Sequence, residues 1–212
     1  MSSEFSLRFS LRKVLIFVRR IGKLFLRYAG STRSGIIIVS QTPIIRQFCP
    51  SDADAIIAIT IEVFERVSID AMIENAVGTG GARWQDVKAG SVRAELRANP
   101  AGCFVAEQDA RPIGYVTTIV NRLASRGHVA NLAVASAYQG RGTGRKLLER
   151  ALDYFRSLGL AHAKIETLVH NKAGEHLYTS VGFRELTRQI HFIMDLEAQR
   201  NMNPASLKGI AR

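Results

Sequence analysis

The sequence predicts a mixed α/β fold built on one central, mostly antiparallel sheet flanked by helices. Three observations carry this. Strand-like apolar runs at 103–108 and 113–120 are separated only by Asp109-Ala110-Arg111 before Pro112, a spacing that reads as an antiparallel hairpin. The stretch from 128 to 170 places a helical pattern between two strand patterns, the length of a right-handed parallel crossover. Helical patterns before and after the strands supply the layers that cover a sheet.

The elements are expected in this order. Ile44–Phe48 reads as a strand. Ser51 then caps a helix, with Asp54 as the capping-box acid three residues on. Ile56, Ile59, Val63 and Phe64 belong to the buried stripe of that helix. A second helical region spans Ile69–Asn99 and breaks at Gly78-Thr79-Gly80-Gly81. Strands follow at Cys103–Gln108, Ile113–Val120 and His128–Val134. A helix over Thr143–Leu158 sets Leu147, Leu148, Ala151, Leu152 and Phe155 on one side, and Gly159 stops it. A strand over Ala163–His170 is followed by a short helix capped by Asn171 and ended by Gly182. Phe183–Thr187 and Ile190–Leu196 read as two last strands.

The chain has 212 residues, of which 47% are apolar. That length fits one domain plus an extension, or two very small domains. The composition can fill a core and excludes disorder of the whole chain. Cys49 and Cys103 make neither a disulfide framework nor a thiolate metal cage, so a reducing, cytoplasmic setting is expected. No apolar run approaches the ~18 residues of a membrane span. The net charge of +11 first suggests nucleic acid or an anionic membrane. The charge is concentrated at the front, however. Residues 1–35 hold eight bases and one acid, and the remaining 177 residues carry 21 bases and 17 acids. Nucleic acid is therefore not expected as a partner of the body, and RNA association stays open only for the basic arm.

Three segments result: a basic extension over 1–40, a domain over 41–197 and a polar tail over 198–212. Between residues 7 and 28 the extension reads as an amphipathic helix, with Leu7, Leu11, Val14, Phe17, Val18, Ile21, Phe25 and Tyr28 on one side. Arg8, Arg12, Arg19, Lys23 and Arg27 lie on the other. Three readings stand open. It is a membrane-surface or organelle-targeting segment, a helix docked on the domain, or a stretch preceding a true start at Val39. Ile36–Val39 reads either as a short strand or as linker.

The clearest chemical signal is Gln139-Gly140-Arg141-Gly142-Thr143-Gly144-Arg145, between a strand and a helix. Glycines let the backbone turn tightly there, and a helix N-terminus offers unpaired N–H groups to an anion. A phosphate or pyrophosphate is the natural guest, although such a loop is also an ordinary strand-to-helix turn. It fits neither G-x-G-x-x-G nor the P-loop spacing.

A second motif follows at Asn171-Lys172-Ala173-Gly174-Glu175-His176-Leu177-Tyr178-Thr179-Ser180-Val181-Gly182-Phe183. With both motifs in view, the sequence resembles the GNAT acetyltransferase superfamily. Gln139, Gly142 and Gly144 match its Q/R-x-x-G-x-G/A loop. Leu132-Ala133-Val134 matches the preceding strand, and Asn171, Leu177, Tyr178, Gly182 and Phe183 match the later signature. Gly174 departs from it, standing where Ala is usual. The resemblance covers 43–196 in layout and 128–183 in detail, and leaves out residues 1–40.

The resemblance implies a GNAT-like sheet with a splayed strand pair that binds acetyl-CoA, and transfer of acetyl to a primary amine by direct attack in a ternary complex. It implies that the amides of Gly140, Arg141, Gly142, Thr143, Gly144 and Arg145, with Gln139, hold the pyrophosphate. Leu132, Ala133 and Val134 would pair with the pantetheine, and Asn171 would contact it. Tyr178 would protonate the leaving thiolate. For the base, Glu166 lies twelve residues before Tyr178, as in the bacterial ribosomal-protein alanine acetyltransferases. Many members carry Glu at the position of Ala130, and His128, Asn131 and water chains remain alternatives. The acceptor would be chosen by residues 52–99, including Trp84 as pocket wall or core, and 184–192. The tyrosine-containing segment of the ribosomal-protein branch is absent from the last hairpin, so its substrate does not carry over. The histidines show no metal spacing, and no metal is expected. Exposed strand edges leave room for a homodimer without requiring one. The rival reading is a CoA-binding regulatory or pseudo-enzyme module, supported by Ala130. Membrane contact is confined to residues 7–28.

Overall fold

The structure is a computed structural model that describes residues 42–196 and 198, and the backbone of 16–20, 23–27 and 36–39. The chain divides into two units, Met1–Pro43 and Ile44–Arg212. In the first, β1 (Ile16–Arg20), β2 (Lys23–Arg27) and β3 (Ile36–Val39) form an antiparallel sheet in that order. Arg20 pairs with Lys23 and Leu24 with Val39. The helix expected over 7–28 is thus corrected where the backbone is described; residues 7–15, 21, 22 and 28 lie outside the described residues. Ile16-Phe17-Val18 and Leu24-Phe25-Leu26 are apolar runs rich in β-branched and aromatic residues, which fit a pleated strand at least as well as a helix face. The tail beyond 198 also lies outside the described residues.

In the second unit, β4 (Ile44–Gln47) is followed by α1 (Ala53–Phe64), α2 (Ile69–Val77) and α3 (Trp84–Ala98). Then come β5 (Phe104–Gln108), β6 (Arg111–Asn121), β7 (Arg126–Val134), α4 (Thr143–Ser157), β8 (His162–Ile165) and α5 (Lys172–Val181). The strands stand in the order β4-β5-β6-β7-β8. All neighbours are antiparallel except β7 and β8, which run parallel across the α4 crossover.

Each face of the sheet buries one helix layer. Phe104, Ala106, Val116 and Val129 pack under Leu147, Leu148, Ala151 and Phe155 of α4, with Leu177 and Tyr178 of α5 at the margin. On the other face Val105, Tyr115 and Ala133 meet Ile56 and Ile59 of α1 and Val92 and Leu96 of α3. Leu147 and Leu148 are fully buried, a placement worth about 1.5–3 kcal/mol for each such side chain. At Gly127 an added Cβ would lie 2.4 Å from the Phe155 ring, so only glycine lets β7 start this close to α4.

Three further expectations need correction. The start of α1 is organised by Asp52, not by Ser51 and Asp54. A 3-10 turn at Pro50–Asp52 precedes the helix. The Asp52 carboxylate accepts the Cys49 N–H at 2.9 Å and two bonds from Arg46 at 2.7 and 2.8 Å, while Asp54 pairs with Arg93. The strand expected over 163–170 ends at Ile165. The two strands expected over 183–196 are absent: residues 183–195 carry no regular structure, and Leu186, Ile190 and Phe192 are exposed. Period-two apolarity supplies a face, whereas a strand also needs a partner ladder, and β8 stops too early to offer one. No described helix is long and apolar enough to cross a membrane.

Candidate active site

The site begins at an interruption in strand pairing. β7 pairs with β8 from Arg126–His162 to Val129–Ile165 and no further. On its other side β7 stays paired with β6 up to Gly114–Val134. The edge of residues 130–134 is therefore open toward residues 166–170. At the same point the β6–β7 register shifts: Thr117 pairs with Asn131 and Thr118 with Val129. Ala130, the position where the family resemblance would place Glu, is the extra residue of this bulge. The bulge breaks side-chain alternation. Val129, Leu132 and Val134 all pack with α4, whereas Asn131 and Ala133 face α1 and α3. By alternation His128 also faces the α3 side.

The open edge leads to the glycine-rich loop. Gln139 donates from its amide to the Val134 carbonyl at 2.8 Å, which braces the loop against the strand end. Gly140 and Gly142 have φ of +72° and +78°, the left-handed region that favours glycine. The first intrahelical bond of α4 runs from Lys146 N–H to the Gly142 carbonyl. The amides of Thr143, Gly144 and Arg145 therefore have no partner within the helix. Thr143 is buried. A Cβ on Gly144 would lie 3.5 Å from Leu177. Arg141 folds over Tyr138 and donates to the Ala137 carbonyl at 2.8 Å. Arg145 donates to the Ser180 hydroxyl at 2.6 Å, tying α4 to α5.

Two candidate chemical groups, His128 and Glu166, lie at the other end of the edge. Glu166, just past β8, sits with its Oε2 3.8 Å from His128 Nε2 and its Oε1 on the Lys164 ammonium. The Lys164 bond holds its carboxyl below the ordinary range. Burial pushes His128 down and favours the neutral imidazole. Tyr178 packs edge-on against Phe183 at 6.4 Å, and burial raises its phenol. Asn171 spends its amide on structure: Oδ1 accepts the Gly174 N–H at 3.1 Å, capping α5, and Nδ2 donates to Thr167 at 2.9 Å. Cys103 is buried and its thiol is pushed up to about 11, which disfavours the nucleophilic thiolate.

Of one further cluster the sequence singled out Asn131 alone. Glu95 Oε2 accepts from the Thr117 hydroxyl and from Asn131 Nδ2, both at 2.6 Å. Lys88 Nζ donates to Asn131 Oδ1 at 2.7 Å and lies 4.6 Å from the Phe64 ring centroid. The available signal was the seven-residue spacing of Lys88 and Glu95, two turns along one helix face; their partners on the strands carry no local mark. Trp84 is buried at the start of α3, its backbone N–H donated to the Glu74 carboxylate of α2.

Residues 69–183, more than half of the chain, match the Acetyltransferase (GNAT) family. The chain belongs to that family. It is 30% identical over 96 residues to N-alpha-acetyltransferase 30 of Saccharomyces cerevisiae, covering 45% of this chain and 49% of that protein. It is 35% identical over 91 residues to mycothiol acetyltransferase of Streptomyces avermitilis, covering 43% and 30%. The chain thus spans about half or less of these curated relatives. Among solved structures, the fold matches the paiA N-acetyltransferase of Thermoplasma acidophilum in complex with coenzyme A at a TM-score of 0.56 and 18% identity, covering 68% of this chain and 90% of that one. It also matches the ribosomal-protein-alanine N-acetyltransferase of Brucella melitensis at 0.52 and 21% identity, covering 68% and 86%.

Proposed function

We propose that this GNAT family member transfers acetyl from acetyl-CoA to a primary amine, on a small molecule or on a protein N-terminus or lysine, by direct attack in a ternary complex. The open edge of β7 carries the reading. It joins an anion-receptive loop at one end to titratable groups at the other. The five residues from 130 to 134 span about 13 Å at the rise of an extended strand, a distance suited to a pantetheine arm. The names of the curated relatives and the coenzyme A in the Thermoplasma structure support the same donor.

The amides of Gly140 to Arg145 would receive the pyrophosphate, with Arg141 and Arg145 swinging from their present partners to add charge. Backbone groups of Leu132, Ala133 and Val134 would pair with the pantetheine as a neighbouring strand does. The thioester then reaches the bulge. A backbone N–H there would stabilise the tetrahedral oxyanion. The incoming ammonium loses a proton to the Glu166–His128 pair, in which the neutral imidazole is the stronger acceptor and Glu166 steadies the resulting charge. Tyr178, kept protonated by burial, protonates the departing thiolate. Gln139 and Asn171 hold the loop and the start of α5 as the walls of the cleft.

The test is thiol release from acetyl-CoA across a panel of small amines and peptides, scored by the mass of the acetylated product. Turnover with at least one amine is expected. Coenzyme A binding without thiol release for any acceptor would replace this reading with a regulatory module.

A further inference from the structure

Lys88 is a nucleophile that the proposed reaction does not use. Its Nζ is held 2.7 Å from Asn131 Oδ1. Asn131 adjoins the bulged residue Ala130, at the end of the β7 edge farthest from the phosphate-receptive loop. This is where a thioester must lie if its pyrophosphate sits at residues 140–145 and its arm runs along 134 to 130. We propose that Lys88 is an internal acetyl acceptor, modified by the acetyl-CoA bound to its own chain. The inference rests on the acetyl-CoA reading above.

The surroundings suit an amine that must lose a proton and then react. Lys88 forms no ion pair within 4 Å among the described residues, and its hydrogen bond goes to a neutral amide. The ring of Phe64 covers it. Burial lowers its pKa, opposed by the charges of Glu95 and Asp70, so the free amine forms more readily than on a solvated lysine. Asn131 cannot swing away with Lys88, because its Nδ2 is fixed by Glu95 and by the Thr117 hydroxyl at 3.2 Å. The amine is thus held beside the cleft by an anchored partner, and a short rotation of a flexible four-carbon stem releases it.

The step balances with acetyl-CoA as the sole co-reactant. The ammonium gives one proton to solvent. The amine forms the C–N bond at the thioester carbonyl, and the C–S bond breaks as the adduct collapses. The thiolate takes up the second amine proton, leaving an amide on Lys88 and free coenzyme A. Because Nζ faces its own strand, the reaction is first-order within one chain.

The test uses full-length protein whose Lys88 is shown by peptide mass mapping to be unmodified. After incubation with acetyl-CoA, an acetyl group is expected on Lys88. Its initial rate per molecule should not change on dilution, and Lys88→Arg should remove it. Acetyl phosphate, a donor with no pantetheine, should modify Lys88 at least ~10²-fold more slowly at equal concentration, since proximity is the source of the rate. Coenzyme A binding is measured on the same sample by calorimetry. Binding with Lys88 left unmodified, a rate that falls on dilution, or equal modification by acetyl phosphate each overturns the proposal and spares the acetyl-CoA reading. Failure to bind coenzyme A overturns both.

Discussion

His128 on β7 and Glu166 just past β8 face one another beside the last paired rungs of the parallel strands, Nε2 to Oε2 at 3.8 Å. This is too long for a hydrogen bond and short enough for charge to couple. Burial pushes the imidazole below its ordinary 6.5, and Glu166 pushes it partly back up. If the pair takes the acceptor's proton, the rate falls as pH drops through the lowered imidazole pKa. Glu166→Gln removes the upward push, so the acid limb of the pH–rate profile should move to lower pH. His128→Ala should cost ~10²-fold in rate. An unshifted acid limb in Glu166→Gln separates Glu166 from proton removal.

Tyr178 is held by packing, with its ring against Phe183 and its backbone carbonyl accepting the Phe183 N–H at 3.1 Å. No hydrogen bond fixes its hydroxyl among the described residues. Phe therefore fits the same space. Tyr178→Phe should lower kcat by ~10²-fold and leave acetyl-CoA affinity within experimental error. Full activity in the variant removes the acid role, and matched losses of affinity and rate reassign Tyr178 to the cleft wall.

The ladders of β5, β6 and β7 and the helix α4 were legible because each has a local mark. Asp109-Ala110-Arg111 closes a hairpin, and Leu147, Leu148, Ala151 and Phe155 repeat at helical spacing. The bulge at Ala130 had none, since an alternating run does not show where one residue is skipped. Nor did the joining of Glu95 to Asn131, 36 residues apart, which depends on how α3 crosses the sheet. The strands expected over 183–196 fail for the same reason: alternation at Ile190, Phe192 and Met194 gives a face without a partner edge. The glycine loop and the Asn171–Phe183 motif were readable as a resemblance, and Asn171 was readable as the cap of α5, which its bond from the Gly174 N–H bears out; its bond to Thr167 was not.

Gly142 separates two consequences of one substitution. Its φ is +78° and no atom lies within 4 Å of an added Cβ. Gly142→Ala therefore meets no clash. It costs about 1 kcal/mol from the left-handed backbone alone, read as a lower unfolding midpoint. Under the proposed reading, the added methyl also enters the loop that would receive phosphate. Acetyl-CoA affinity should fall by ~10-fold or more, about 1.4 kcal/mol, while Gly159→Ala, at φ +68° after α4, should lose only the stability. Equal acetyl-CoA binding by the two variants argues against this loop as the phosphate site.

Asp52 gives a prediction about stability independent of the reaction. Its carboxylate is buried at the start of α1 against Arg46, which also bonds Glu107 of β5. The Arg46 hydrogen bonds lower its pKa from 3.8 to about 2, against the opposing effect of burial. A carboxyl depressed in the folded state adds stability above its unfolded pKa and loses it as pH falls through the folded one. The contribution is therefore full at neutral pH, begins to fade near 3.8 and is gone below about 2. It amounts to about 2 kcal/mol. Asp52→Asn should destabilise by at least that amount, since it leaves the half-buried Arg46 with Glu107 alone. It should also flatten the loss of stability between pH 4 and 2 as followed by urea denaturation, the window set by Asp52's ordinary and folded values. A variant that keeps the full acid-induced loss would show that the acid sensitivity of the fold lies outside the Arg46–Asp52 pair.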